Sequence, residues 1–296
     1  MTGTPSSEFR LGGRTVARAG YGAMQLTGPG VFGPPADRGQ AIKLLRAAVE
    51  LGVNHIDTAQ YYGPDVVNDL IRAALHPYPA DLAIVSKVAV RRGSRGEILR
   101  YDEPAQLRAG IEDNLRSLGI DRLAAVNLRM PDPTALPDAR FDDQLAAMVQ
   151  ARDAGLIDGV GLSNVSRAQL EHALTVTDIV TVQNSYSLTD RSSQSVLELT
   201  SERGISFAPY LPFGWPAPIR LAGLGNPVVQ EIAARISAAP AQVVLAWMLA
   251  LAPNVLLIPG TRSIDHLREN VAASHLRLAP TDVEALTALA SGRNPR

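Results

Sequence analysis

The chain alternates short apolar runs, typical of buried strands, with longer segments of helical apolar spacing, and eight such apolar runs occur. Eight strands that alternate with helices, without a long linker or a break in composition, predict a parallel sheet closed on itself. At 296 residues and 46% apolar content, the chain can bury one core of the size such a barrel needs, about 250 residues. We therefore expect an α/β chain that forms a single (β/α)₈ TIM barrel, one domain over residues 1–296.

Turn signals and periodicity define the expected elements. The predicted barrel strands are residues 20–24, 53–56, 82–87, 123–128, 159–163, 179–183, 205–208 and 255–258. Helices are predicted at about 37–51, 65–75, 104–118 and 141–154, with a further one beginning at Ser166. Residues 9–16 form an expected β-hairpin around a Gly-Gly turn before the first barrel strand.

Ionisable side chains follow two of these strands where each one ends. Asp57 and Tyr62 come after the strand in VNHIDTAQYYG, and Lys87 ends the next apolar run. Strand ends carry the chemistry in such barrels, so the three side chains are expected to converge at one mouth. A nearby cation favours phenolate and lowers a phenol pKa that starts at about 10, which would help proton donation. Taken singly, the Asp is also typical of a helix cap, the Tyr of packing and the Lys of a solvated surface.

The sequence resembles the aldo-keto reductase family over nearly its whole length. The resemblance rests on GYGAMQL at 20–26, HIDTAQYYG at 55–63, Lys87, GLSN at 161–164, Gln183, IPGT at 258–261 and REN at 268–270. It implies a hairpin that closes the N-terminal mouth and hydride transfer from a nicotinamide to a substrate carbonyl carbon. It also implies that Tyr62 donates the proton to the carbonyl oxygen while Lys87, held by Asp57, lowers the phenol pKa.

Arg129 departs from the family pattern. The family places a histidine in a strand-end LHxPD segment, and this chain has LRMPD at 128–132. Arginine stays protonated and cannot shuttle a proton, but it can donate hydrogen bonds to a developing oxyanion. The alternative is that Arg129 pairs with Asp132 or with an anionic group of the substrate.

The expected cofactor site lies on the later strand ends. No GxGxxG motif follows a strand, which disfavours a Rossmann site, whereas PGTRS at 259–263 precedes a helix and suits a phosphate. An ordinary glycine turn with a serine cap, and strand crowding at the early glycines, are the alternatives. The resemblance implies contacts to a nicotinamide cofactor from Gly22, Met24, Ser163, Asn164, Gln183, Tyr210, Leu211, Pro212, Gly260, Thr261, Arg262, His266, Glu269 and Asn270. Arginine is the usual bidentate partner of phosphate, so Arg262 favours NADPH over NADH. The loop at 211–227 is either a cover for the cofactor or a rigid excursion.

Composition excludes several other classes of function. A formal net charge of -1 without a basic run predicts no nucleic-acid or anionic membrane partner, and the absence of cysteine excludes disulfides and thiol chemistry. The five histidines lack metal-ligand spacing, so no metal is expected. No apolar stretch reaches the roughly 18 residues of a membrane span, and the polar start lacks a signal-peptide core. We expect a soluble cytoplasmic protein; the sequence does not determine its oligomeric state, and a monomer is compatible with it.

One branch of the family carries the same arginine. Bacterial pyridoxal reductases resemble this chain over GPGVFGPP at 28–35, GVNHIDT at 52–58, VNLR at 126–129 and VQN at 182–184. The branch implies reduction of pyridoxal to pyridoxine. A keto-sugar or another secondary-metabolite carbonyl is the alternative substrate, and a cofactor-binding regulatory barrel without turnover is the alternative class.

Overall fold

The computed structural model describes residues 7–289. Its strands are β1 (Glu8–Leu11), β2 (Arg14–Ala17), β3 (Tyr21–Gly22), β4 (His55–Asp57), β5 (Ala83–Arg92), β6 (Ile98–Tyr101), β7 (Ala125–Arg129), β8 (Val160–Ser163), β9 (Ile179–Gln183) and β10 (Ser206–Phe207). Its α-helices are α1 (Arg38–Glu50), α2 (Val66–Leu75), α3 (Pro104–Leu118), α4 (Ala139–Asp153), α5 (Arg167–Val176), α6 (Gln194–Arg203), α7 (Ala217–Leu224), α8 (Pro227–Arg235), α9 (Pro240–Leu251), α10 (Ile264–Ala272) and α11 (Pro280–Ala288).

Seven parallel strands form one curved sheet in the order β10, β9, β8, β7, β5, β4, β3. The predicted eighth strand closes the ring through single bridges: Val255 pairs with Phe207 on one side and Leu257 with Ala19 on the other. The N–H of Leu257 donates to Arg18 O and the N–H of Gly20 donates to Leu257 O, both at 2.8 Å. The (β/α)₈ prediction is therefore confirmed.

The N-terminal hairpin closes one end of the barrel. β1 and β2 pair antiparallel, and their Leu11 and Val16 pack in a small cluster against Ala83 and Val85 of β5 and Leu256. These are early residues of their strands, so the hairpin covers the N-terminal end. The carboxyl ends of the strands remain free to form a site.

Helix limits follow local sequence signals. α3 begins with Glu103 as its N-cap and Pro104 in the first turn, and it ends at Gly119, whose φ is +68°. A proline needs no N–H donor there, and a glycine adopts the left-handed conformation without steric cost. α9 instead buries residues all round, including Trp247, and packs against α8, α10 and α11.

Two elements lie outside the predicted pattern. β5 continues past Lys87 to Arg92 and pairs antiparallel with β6, so a hairpin stands above the barrel mouth. The loop at 211–227 contains α7, which buries none of its residues. The first barrel strand is shorter than expected because residues 23–26 turn into a 3₁₀ helix.

Across the described residues, no single helix combines the length and apolarity of a membrane span. One pair does so only when taken together, Pro227–Arg235 with Pro240–Leu251, and it bends by 95°.

Candidate active site

Strand register gathers the predicted catalytic side chains. Asp57 on β4 lies opposite Val85 on β5, and Lys87 follows two positions later on the same side of that strand. Arg129, two positions beyond the partner of Lys87 on β7, lies opposite Ser163 of β8. Strand pairing therefore places these side chains at the C-terminal mouth.

Lys87 is the hub of the site. Its buried ammonium donates to Asp57 Oδ1 at 2.5 Å, to the carbonyl oxygen of Thr58 at 3.0 Å and to the hydroxyl oxygen of Tyr62 at 3.1 Å. An ammonium has three N–H groups, so all of them are used. Since the phenol oxygen accepts from Lys87, its own proton is free to point elsewhere.

Asp57 is held from both sides. Its Oδ1 accepts from Lys87, and its Oδ2 accepts from Gln183 Nε2 at 2.8 Å. Gln183 ends β9, far round the ring, and reaches Asp57 across the barrel mouth. The side chain that the sequence assigned to the cofactor thus also orients the carboxylate.

The pKa of Tyr62 is raised, chiefly because burial disfavours the phenolate and further because of the Asp57 carboxylate. The guanidinium groups of Arg129 and Arg92 act in the opposite direction. The expectation from the sequence that the phenol pKa is lowered is therefore wrong for this structure, because the effect of burial exceeds that of the nearby cations. The phenol is protonated at neutral pH, as a proton donor must be.

Arg129 points its charge at the site without a protein counter-ion. No carboxylate of residues 7–289 lies within 4.0 Å of its guanidinium, and Asp132 instead accepts hydrogen bonds from Thr134. The alternative pairing of Arg129 with Asp132 is therefore wrong. The guanidinium carbon lies 5.9 Å from the ring centre of Tyr210.

A cavity of about 300 Å³ opens beside these groups. Asp57, Tyr62, Lys87 and Arg129 all line it. Its other walls are largely apolar and aromatic, and they include predicted cofactor residues: Gly22, Met24, Gln183, Tyr210, Leu211, Pro212 and Gly260. The structure therefore brings the predicted catalytic set and half of the predicted cofactor set into one chamber.

Two further predicted residues adjoin this wall, since Ser163 pairs with Gln183 and Asn164 bonds Tyr210. Ser163 is fully buried, and its hydroxyl has no hydrogen-bond partner among the described residues. Asn164 is already engaged, since its Nδ2 donates to Met130 O and its Oδ1 accepts from the Tyr210 hydroxyl. The amide therefore fixes the Tyr210 ring at the edge of the cavity.

The remaining predicted cofactor residues lie outside the cavity: Thr261 and Arg262 precede α10, and His266, Glu269 and Asn270 lie within it. Ser263 caps the helix by accepting from the N–H of His266, as the cap alternative anticipated. Arg262 is exposed, and no carboxylate in the described part of the chain pairs with it. A free guanidinium at a helix N-terminus suits an anion.

The early glycines have a packing role. A Cβ on Gly22 would lie 2.3 Å from Ile258 O, and one on Gly260 would lie 2.7 Å from Gly22 O. Strand crowding, the alternative interpretation of the early glycines, is therefore present at Gly22, and Gly22 and Gly260 both line the cavity as well.

Sequence reasoning missed Arg220 as a cavity residue. Arg220 lies on α7 within the loop at 211–227, which also contains Trp215, and both side chains line the cavity. A cover for the cofactor was one of the two expectations for this loop, but no motif marked a cation within it.

Among residues 7–289, no three His, Asp or Glu side chains are grouped to hold a metal ion.

A barrel whose open mouth holds a buried lysine, a carboxylate and a protonated phenol is a scaffold for proton transfer there. A model of the Aldo/keto reductase family matches residues 18–217 and 219–291. Pyridoxine 4-dehydrogenase of Escherichia coli (strain K12) is 45% identical over 276 residues, which are 93% of this chain and 95% of that relative.

Solved structures show the same likeness. The thermostable aldo-keto reductase Tm1743, crystallised with the inhibitor epalrestat, matches with a TM-score of 0.79 at 30% identity, over 95% of this chain and 99% of that one. An aldo-keto reductase from Klebsiella pneumoniae in complex with NADPH matches with a TM-score of 0.83 at 24% identity, over 99% and 98%. The chain belongs to the aldo/keto reductase family, and it is an oxidoreductase.

Proposed function

We propose that this chain is an NADPH-dependent carbonyl reductase that converts pyridoxal to pyridoxine, with Tyr62 as the proton donor. The observation that carries the proposal is the hydrogen-bonded set of Asp57, Lys87 and Tyr62 on one cavity wall. The 45% identical relative named pyridoxine 4-dehydrogenase supports the substrate, and the NADPH complex of a structural relative supports the cofactor.

The residues present fit a nicotinamide cofactor. Tyr210 presents a ring on the cavity wall, and the buried Ser163 hydroxyl lacks a protein partner among the described residues. Arg262 supplies an unpaired cation at the start of α10. We infer that Tyr210, Ser163 and Gln183 hold the nicotinamide end and that Arg262 holds a 2′-phosphate. When bound, the cofactor supplies the hydride for the carbonyl carbon.

Tyr62 supplies the other half of the reaction. Its hydroxyl donates a proton to the carbonyl oxygen as negative charge grows there, so the carbonyl gains the hydride with its two electrons from the cofactor and one proton from Tyr62. The phenolate left behind is stabilised by the Lys87 ammonium at 3.1 Å. Asp57 holds that ammonium in place and needs no proton of its own.

The cavity suits an aromatic aldehyde. Phe213, Trp215 and Tyr210 line it together with apolar side chains. Flat aromatic walls favour a flat ring through offset or edge contacts. Pyridoxal is a pyridine aldehyde of that kind.

The decisive experiment follows NADPH oxidation with pyridoxal in the wild type and in Tyr62→Phe. We expect kcat/KM to fall about 100- to 10,000-fold in the variant, the range of general acid catalysis, while NADPH binding is retained. Tyr61→Phe is the matched control, because Tyr61 packs edge-on against the Tyr62 ring but does not line the cavity. Tight NADPH binding without turnover of any carbonyl would sink the proposal and leave a binding module.

Cofactor preference has its own test. Arg262→Ala is expected to weaken NADPH binding about 10- to 100-fold, the range of a charge-assisted hydrogen bond, and to leave NADH binding unchanged, because NADH lacks the 2′-phosphate. Equal losses for both cofactors would remove Arg262 from the 2′-phosphate site.

A further inference from the structure

The side chains that line the catalytic cavity carry more positive than negative charge. The ionisable wall residues of fixed charge are Asp57, Lys87, Arg129 and Arg220. Asp57 and Lys87 neutralise each other directly. No carboxylate within the described part of the chain pairs with Arg129 or Arg220. A charge withdrawn from water without a partner is costly, so the cavity favours a ligand that carries negative charge.

Arg129 is the uncompensated cation beside the chemistry. It is half-buried at the end of β7, with Tyr210 as its aromatic neighbour at 5.9 Å. Its charge opposes the effect of burial on the pKa of Tyr62, Tyr61 and Tyr210, so it lies among the phenols of the site. Arg220, in contrast, reaches the cavity from the exposed helix α7.

We propose that Arg129 binds an ionised hydroxyl on the ring carbon next to the one that bears the carbonyl, so that the site selects ortho-hydroxy aromatic aldehydes. This inference rests on the proposed carbonyl reduction. In such an aldehyde the ionised hydroxyl and the carbonyl oxygen face the same side, as two acceptors of one fork. A guanidinium presents parallel N–H donors that match two oxygens, and it remains charged at any working pH. Pyridoxal has this arrangement, since its 3-hydroxyl flanks the 4-aldehyde.

The kinetic test uses two isomers that differ only in geometry, 2-hydroxybenzaldehyde and 4-hydroxybenzaldehyde. The ratio of their kcat/KM values is measured in the wild type, Arg129→Met and Arg129→Lys. We expect the ortho-to-para ratio to fall about 10- to 100-fold in Arg129→Met, as for loss of a charge-assisted hydrogen bond. Arg129→Lys keeps the charge without the fork and retains part of the preference.

Arg92→Met is the matched control. Arg92 also acts on the pKa of Tyr62, but its guanidinium donates to Gly96 O at 2.6 Å and does not line the cavity. Removing Arg92 changes the electrostatic field at Tyr62 but leaves the proposed contact between Arg129 and the substrate hydroxyl. The ortho-to-para ratio should therefore be retained. A ratio unchanged in Arg129→Met, or lowered equally in Arg92→Met, would overturn the inference.

A second readout needs no turnover. With NADP⁺ present the enzyme has no hydride to give, and the phenolate absorption of bound 2-hydroxybenzaldehyde reports the ionisation of its hydroxyl. We expect the pKa of the bound phenol to be lowered in the wild type and not in Arg129→Met. An unshifted phenol pKa, or no binding, refutes the role of Arg129 even if reduction proceeds. A lowered pKa without reduction of any aldehyde refutes the reductase proposal alone.

Discussion

Replacing Lys87 by Met is expected to lower the stability of the fold and to abolish activity. The ammonium is 3% exposed and holds Asp57 Oδ1, Thr58 O and the Tyr62 hydroxyl. Methionine keeps the aliphatic stem but leaves the buried Asp57 carboxylate with Gln183 as its remaining side-chain donor. Breaking a buried ion pair from one side costs about 3–5 kcal/mol, so the free energy of unfolding should fall by that amount.

The double variant Asp57→Asn/Lys87→Met isolates the charge effect. Both partners are then neutral, so most of the loss is recovered, to within about 1–2 kcal/mol of the wild type. Urea unfolding measures this through the fluorescence of fully buried Trp247, checked by circular dichroism. Both variants are expected to be inactive, so the recovery of stability in the double variant is not accompanied by a recovery of activity. A Lys87→Met cost below about 1 kcal/mol, or no recovery in the double variant, would refute the buried pairing.

Three further predictions concern the scaffold. Gly22→Ala brings a Cβ to 2.3 Å from Ile258 O and should lower the free energy of unfolding by about 1–3 kcal/mol in thermal melts. Gly13→Ala is the control, because its Cβ would have no atom within 4 Å, and it should change stability by less than about 0.5 kcal/mol. Equal melting temperatures for the two variants would contradict the crowding. Burial lowers the pKa of His55 to about 4, so between about pH 4 and 6.5 the unfolded chain binds a proton that the folded chain does not. Stability should therefore fall by roughly 2–3 kcal/mol from pH 7 to pH 4.5, and this component should be missing from urea titrations of His55→Phe. Arg18 donates to three backbone carbonyls around the end of α9, so Arg18→Met should lower the urea midpoint by the equivalent of about 3 kcal/mol, and an unchanged midpoint would exclude these bonds.

Local signals predicted much of the fold correctly. The limits of α3 at 104–118 and of β9 at 179–183 agree with the structure, because a proline start, a glycine stop and a short apolar run are read within a few residues. The strand-end position of Asp57 was equally accessible, since it follows its own apolar run, whereas β5 continues past Lys87 to Arg92. Elements without such signals, such as β6 and α7, were not predicted.

Other features depend on how distant segments meet. The bond from Gln183 to Asp57 joins residues 126 positions apart, and only the stagger of the closed sheet makes it possible. The raised pKa of Tyr62 arises from burial, which spacing along the chain does not report. The lack of a carboxylate partner for Arg129 in the described residues likewise appears only once every neighbouring element is in place.

The sequence by itself determined the order of strands and helices and the residue types at the strand ends, because periodicity, caps and turns act over a few residues. The tertiary structure decided which of those side chains are buried, which partners they find and which charges remain unpaired. These properties depend on packing and solvent exclusion across the whole barrel, and they set the charge of the cavity that Tyr62 and Arg129 line.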